Sequence, residues 1–314
     1  AAERGNQPDA TGAGQPGLTG LAASRARPRS GECGLIVHGG RLQDEPAMPA
    51  IPANGTTIFY EDVGDGPPLL LLHGGLGTAR LHWWKEIPFF AERFRVIAPD
   101  LRGYGRSSPP RDFPLNFYER DAADMAALLR QTGRGPAHVL GWSDGAIVAL
   151  ILAVEHPELV RTLIVVSGEA RILPQEREGW SLLVDTSGWS EGARRRFIEE
   201  QGTQNWPGIF DRLLAGYYAV LEQRGGEIIS GRLHEIRRPT LIVHGEDDPI
   251  VPVVHAYEMA QRIPGAWLSV YARCGHVPHR EREEDVRERV LSFLDFVDRL
   301  PLVTGEGWPL SDPS

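Results

Sequence analysis

Gly141-Trp142-Ser143-Asp144-Gly145 stands between two apolar segments of different kinds. Residues 137–141 before it read as a short strand, and residues 146–155 after it as a helix too apolar to lie on a surface. A serine on such a strand-to-helix turn is pushed out above the sheet. The flanking glycines let the chain reverse sharply with little side-chain bulk, and the helix aims its N-terminal dipole at the hydroxyl. A glycine-x-serine-x-glycine run can arise by accident in a glycine-rich chain. The strand before it and the helix after it turn the run into a signal.

Working outward, strands and helices alternate. Residues 57–60 alternate between Asn-Gly and Gly-Asp turn signals, as an edge strand would. Residues 69–72, 94–98, 162–166, 240–244 and 267–271 are continuous apolar or β-rich runs, the mark of strands buried on both faces. Residues 117–131 and 282–300 carry apolar positions at helical spacing. This order implies an α/β fold, a mostly parallel sheet covered by helices on both faces. The alternation breaks between 168 and 238, in a stretch that carries Trp180, Trp189, Trp206 and Tyr217-Tyr218. It is far longer than a usual connection of about 2–6 residues, so residues 169–238 are expected to form a helical cap inserted after the sixth strand. Its aromatic residues suit either the wall of a substrate pocket or the cap's own core. The core is expected at 48–168 and 239–300.

Residues 1–47 hold nine Gly, four Pro and no aromatic residue, so they cannot bury enough apolar area to offset ordering; a disordered extension is expected there, and a loose tail at 301–314. The 314-residue chain is 41% hydrophobic and 24% charged, the composition of a globular protein. Its longest apolar run is the nine residues 146–154, short of the roughly 20 that a membrane span needs. A net charge of −9 offers no basic field to nucleic acid or an anionic membrane. Lys85 is the only lysine, and the arginine excess fits GC-rich coding better than phosphate recognition. Cys33 and Cys274 make neither a disulfide framework nor a zinc site, and a reduced, cytoplasmic protein is expected. The remaining histidines, His255 among them, show no ligand spacing.

A serine hydroxyl needs a positioned base, and the base needs a group that fixes its tautomer. On an elbow of this kind the chain order is serine, acid, histidine. His244-Gly245-Glu246-Asp247-Asp248-Pro249-Ile250-Val251-Pro252 follows one late strand, and Cys274-Gly275-His276 follows the last. Asp248 is taken as the acid, with Asp247 as the alternative, and His276 as the base in preference to His279. Glu169, just past the sixth strand, is the other place an acid could stand. His73-Gly74-Gly75-Leu76-Gly77 can turn backbone N–H groups towards an oxyanion. The expected pair is Gly75 and Asp144, with Leu76 the alternative to Gly75. The glycine-rich loop lacks the spacing and the lysine of a phosphate-binding loop. Asp100-Leu101-Arg102-Gly103-Tyr104-Gly105-Arg106-Ser107 is expected to be a structural loop beside the pocket.

The elbow, the acid frame and the Gly-His base in this order resemble the α/β-hydrolase superfamily over roughly residues 55–300. Within it the chain is similar to the valacyclovir hydrolase, or biphenyl-hydrolase-like, group. The similarity rests on the aspartate after Ser143, on Arg102-Gly103-Tyr104-Gly105, Arg111-Asp112-Phe113-Pro114 and Glu119-Arg120-Asp121-Ala122, and on Val243-His244-Gly245-Glu246. The resemblance implies hydrolysis of α-amino acid esters, with Asp144 holding the substrate ammonium. His73-Gly74-Gly75 is a general esterase form, and the cap matches only around Trp189-Ser190-Glu191, so no leaving-group preference carries over.

The expected function is therefore serine hydrolysis of a small-molecule carboxylic ester, with no metal or organic cofactor. A general carboxylesterase, a carbon–carbon bond hydrolase or perhydrolase, and a non-catalytic binding protein remain open. Haloalkane dehalogenase and epoxide hydrolase chemistry is disfavoured, because both use an aspartate where this chain has Ser143. Nothing in the sequence speaks to oligomeric state.

Overall fold

The computed structural model describes residues 49–108, 110–206 and 208–299; the expectations for 1–47 and 301–314 lie outside them. The first turn is made by Asn54 and Gly55, with φ of 46° and 79°. Two successive left-handed residues suit a tight hairpin between right-twisted strands. The hairpin joins β1 (Ala50–Ala53) to β2 (Thr56–Val63), antiparallel. β1 therefore holds the sheet edge, and residues 57–60, read as the edge strand, lie one strand in. Pro52 is tolerated in β1 because an edge strand leaves one side of its ladder unpaired.

The strands that follow are β3 (Pro68–Leu72), β4 (Arg95–Pro99), β5 (Ala137–Trp142), β6 (Val160–Val166), β7 (Thr240–Gly245) and β8 (Trp267–Tyr271), each within two residues of its expected place. The sheet order is β1-β2-β4-β3-β5-β6-β7-β8, with β2 antiparallel to β4 and every later pair parallel. Side chains alternate between the faces. Leu69 and Leu71 of β3 pack with Trp83 of α1 (Ala79–Trp83), Phe90 of α2 (Glu86–Ala91) and Phe293 of α10 (Glu283–Asp298). Leu70 and Leu72 pack on the other side with α3 (Phe117–Thr132), α4 (Asp144–Glu155) and α8 (Val254–Arg262). Every residue of α4 from Asp144 to Val154 is buried, which explains its uninterrupted apolar composition. The closing helix, expected over 282–300, is the single helix α10, and a separate turn, α9 (Pro278–Glu281), precedes it.

Between β6 and β7 lie α5 (Arg177–Val184), α6 (Glu191–Gln201) and α7 (Ile209–Gln223). Their aromatic residues divide between two jobs. Trp189, Phe197, Trp206 and Phe210 form one cluster, with Phe197 and Phe210 stacked 5.6 Å apart, and this is the insertion's own core. Trp180 and Tyr217, 5.3 Å apart, instead line a cavity over the end of β5. Two buried ion pairs fix the loop between β4 and α3: Arg102 on Asp124, and Arg111 on Asp121, each with 2.7 Å bonds.

Candidate active site

Ser143 joins β5 to α4 with φ 55° and ψ −125°. A non-glycine residue held there stores roughly 1–3 kcal/mol of strain, and the surrounding backbone supplies the restraint. The Ser143 N–H donates to Val166 O at 3.0 Å, and the Ser143 carbonyl accepts from Ala146 and Ile147. Gly145 permits a close approach that no other residue could: a Cβ there would lie 2.2 Å from the carbonyl oxygen of Leu72.

His276 Nε2 lies 3.0 Å from Ser143 Oγ, and His276 Nδ1 lies 2.8 Å from Asp248 Oδ2. The Asp248 carboxylate is buried, and its Oδ1 accepts from the N–H groups of Ile250 and Val251 at 2.9 and 3.0 Å. Burial alone would raise its pKa. The imidazoles of His276 and His244 overcome that effect and hold the carboxyl well below the usual carboxylate range. Asp247 is exposed, and its N–H binds Cys274 O at 2.9 Å, which fastens the acid loop to the histidine loop. Trp142 Nε1 donates to His276 O at 2.9 Å, so the residue before Ser143 also steadies His276. His279 is buried against Trp83 and Trp142 instead. A hydroxyl on an imidazole whose far nitrogen meets a buried carboxylate can attack a carbonyl as its proton leaves.

Asp144 is buried at the first position of α4. Its Oδ1 accepts from the hydroxyls of Tyr118 and Tyr217 at 2.9 and 2.8 Å, and its Oδ2 has no hydrogen-bond partner. Burial pushes this carboxyl up, and the two tyrosine hydroxyls pull it part of the way back. It lines a narrow cavity with Ser143, Ile147, Ser167, Trp180 and Tyr217. Gly75 closes one side, where a Cβ would lie 2.7 Å from Asp144 Oδ2. Gly74 packs on the elbow, since a Cβ there would stand 3.1 Å from Ser143 Cβ. The N–H of Leu76 meets Tyr104 Oη at 3.4 Å. His73 is a buried structural residue: burial lowers its pKa to about 4, and its Nε2 accepts from Leu101 N–H at 2.9 Å.

A model of the alpha/beta hydrolase family matches residues 69–289. The chain belongs to the alpha/beta hydrolase family. Serine hydrolase BPHL of Mus musculus is 33% identical over 247 residues, covering 78% of this chain and 85% of that one. The 2-hydroxy-6-oxo-6-(2'-aminophenyl)hexa-2,4-dienoic acid hydrolase of Metapseudomonas resinovorans is 27% identical over 264 residues, covering 78% of this chain and 89% of that one. Among solved structures, a serine hydrolase involved in carbazole degradation superposes with a TM-score of 0.67 at 25% identity, covering 80% of this chain and 99% of that chain. These likenesses place the chain among the serine hydrolases of the family, beside BPHL. Among the described residues of this hydrolase, no helix is long and apolar enough to cross a membrane.

The sequence pointed at Ser143, Asp144, Asp248, His276 and Gly75, and the fold brings all five to one end of the sheet. It missed the tyrosines that hold Asp144, because Tyr118 and Tyr217 reach it from 26 and 73 positions away. It also missed His255, given no partner on spacing. His255 Nε2 lies 2.8 Å from Glu176 Oε1 and 3.5 Å from Glu169 Oε2, all three residues buried. Glu169, weighed as an alternative acid, stands with this group and on the cavity wall.

Proposed function

We propose that this hydrolase cleaves small α-amino acid esters through an acyl-enzyme. Ser143 Oγ attacks the ester carbonyl while His276 Nε2 takes its proton. His276 then gives that proton to the departing alcohol, and water, activated by the same nitrogen, releases the acid. Asp248 holds the Nδ1–H tautomer and offsets the charge that His276 acquires. The N–H groups of Gly75 and Asp144 receive the oxyanion. No metal or organic cofactor takes part.

One observation carries the choice of substrate: Asp144 Oδ2 is a buried carboxylate oxygen without a partner, beside the reacting serine. An anion there opposes a developing oxyanion unless a cation neutralises it, and a substrate α-ammonium is placed to do so. The tyrosines at Oδ1 leave Oδ2 for that ammonium, and neither is a helix N–H, so Asp144 does not spend its side chain on capping α4. The same acid weighs against carbon–carbon hydrolysis of dienoic acids, the reaction named for the M. resinovorans relative. Those substrates are anions, and the cavity is lined by Asp144 and Glu169 with no lysine or arginine.

The test is Asp144→Asn, assayed on an α-amino ester and its des-amino analogue. A charge-assisted hydrogen bond is worth about 1.5–3 kcal/mol, so kcat/KM for the amino ester should fall roughly ten- to a hundredfold. The neutral ester should be unaffected or faster. Equal losses on both would show that Asp144 supports the fold and not the substrate.

A further inference from the structure

The cavity carries a second acid that the reaction above does not use. Glu169 stands three residues past Val166, the residue opposite Trp142 in the β5–β6 pairing, so it lies just beyond the end of the strand neighbouring the elbow. It is buried and lines the same cavity as Asp144. Between and around the two acids the walls are apolar: Ile147, Trp180, Leu183, Ile250 and Val251. Ser167 Oγ, also on the wall, is buried without a partner. Behind Glu169, His255 and Glu176 form a buried pair at 2.8 Å that limits where its carboxyl can turn.

We infer that the acyl pocket selects α-amino esters whose side chain carries a second cation, with Asp144 taking the α-ammonium and Glu169 the side-chain ammonium or guanidinium. The inference rests on the amino-ester reading and narrows it. Two carboxyls facing an apolar cavity repel one another and lose hydration. One ammonium at Asp144 leaves Glu169 with only His255 and Glu176 against it, whereas a dicationic acyl group supplies a cation to each acid. Asp144 and Glu169 lie just past the ends of neighbouring strands, β5 and β6, on the wall of one cavity, so a methylene chain within it joins a cation at one acid to a cation at the other. The apolar walls would take that chain. Glu169 is thus a specificity-determining residue, positioned by Glu176 and His255.

The groups facing Glu169 set how its charge depends on pH. They are Glu176, Asp144, Asp248, Tyr118 and Tyr217, with His255 the one group among them that can carry positive charge. Burial first, and then Glu176, hold the Glu169 carboxyl well above its ordinary range. A second cation must displace that proton. Preference for dicationic substrates should therefore strengthen as pH rises, until the side-chain ammonium itself titrates near pH ~10.

The experiment compares lysine methyl ester with norleucine methyl ester, which has the same chain length without the terminal charge. The native enzyme should favour the lysine ester in kcat/KM by about ten- to a hundredfold, the worth of one charge-assisted hydrogen bond, and the ratio should grow from pH 6 to pH 8. Glu169→Gln should bring the ratio close to one. A merely structural Glu169 would change both substrates together and leave the ratio standing, which would overturn the inference. Equal rates on the two esters with the native enzyme, or a ratio independent of pH, would do so even if the variant failed to fold. Norleucine methyl ester against methyl hexanoate reads the α-ammonium alone, so the amino-ester reading and this narrower one fail separately.

Discussion

Asp247 and Asp248 are adjacent and chemically identical, yet their surroundings give them different work. Asp248 is buried, accepts two backbone N–H groups through one oxygen and faces His276 Nδ1 through the other. Asp247 is exposed. Asp248→Asn puts an amide donor or a weaker acceptor against His276 and disfavours the tautomer that leaves Nε2 free. Activity should fall by about three to four orders of magnitude. Asp247→Asn, a surface change, should alter kcat/KM by no more than about twofold. Steady-state kinetics on any turned-over ester checks both, and a dead Asp247→Asn enzyme with an active Asp248→Asn enzyme would reverse the assignment. The spacing of the His244–Pro252 frame pointed to Asp248, the one of the two that lies 2.8 Å from His276 Nδ1. The tyrosines on Asp144 were not, because nothing near Tyr118 or Tyr217 in the chain marks either as a polar contact.

At the scale of elements, the turn from β5 into α4 decides where the Ser143 hydroxyl stands. Gly145 lets α4 press against the end of β3, and the atom a Cβ would strike, Leu72 O, is backbone. No rotamer can relieve that contact. Gly145→Ala should cost about 1–3 kcal/mol or more, read as a lower urea midpoint. Gly188→Ala, at an exposed site where a Cβ would meet nothing within 4 Å, should move the midpoint little. Similar shifts for the two would show that the close approach is not what requires glycine. The long elements were visible as periodicity or as apolar runs. β1 was not, because four residues with a proline make a weak strand signal and only its pairing with β2 defines it. α1 and α2, five and six residues long, are too short for a helical period to show.

Across the whole molecule, Arg111 ties the sheet's loops to the helical insertion. Its guanidinium binds Asp121 through two 2.7 Å bonds and the carbonyl of Arg102 at 3.0 Å, and it lies 4.8 Å from the Tyr104 ring and 4.7 Å from that of Phe113. Its N–H donates to Asn205 and its carbonyl accepts from Arg212, both in the insertion. Removing one partner of such a buried pair strands the other charge. Arg111→Ala should therefore destabilise the protein by about 3–5 kcal/mol, measured by chemical unfolding. A change within about 0.5 kcal/mol, ordinary for a surface site, would mean that the pair is not buried in solution.

The order of strands and helices, the serine on its turn, and the acid and histidine that follow are properties of short windows: an alternation, an apolar run, a glycine at a set offset. Such features survive in one dimension because a strand, a helix start or a sharp turn depends mainly on residues a few positions away. Which partners those residues meet depends on elements far apart in the chain. Tertiary packing alone brings Tyr118 and Tyr217 to one oxygen of Asp144, and divides the insertion's aromatic residues between pocket wall and internal core. It also sets His255 against Glu176 across 79 positions, behind Glu169. No local pattern encodes that burial or that company, and the charge each acid carries follows from both.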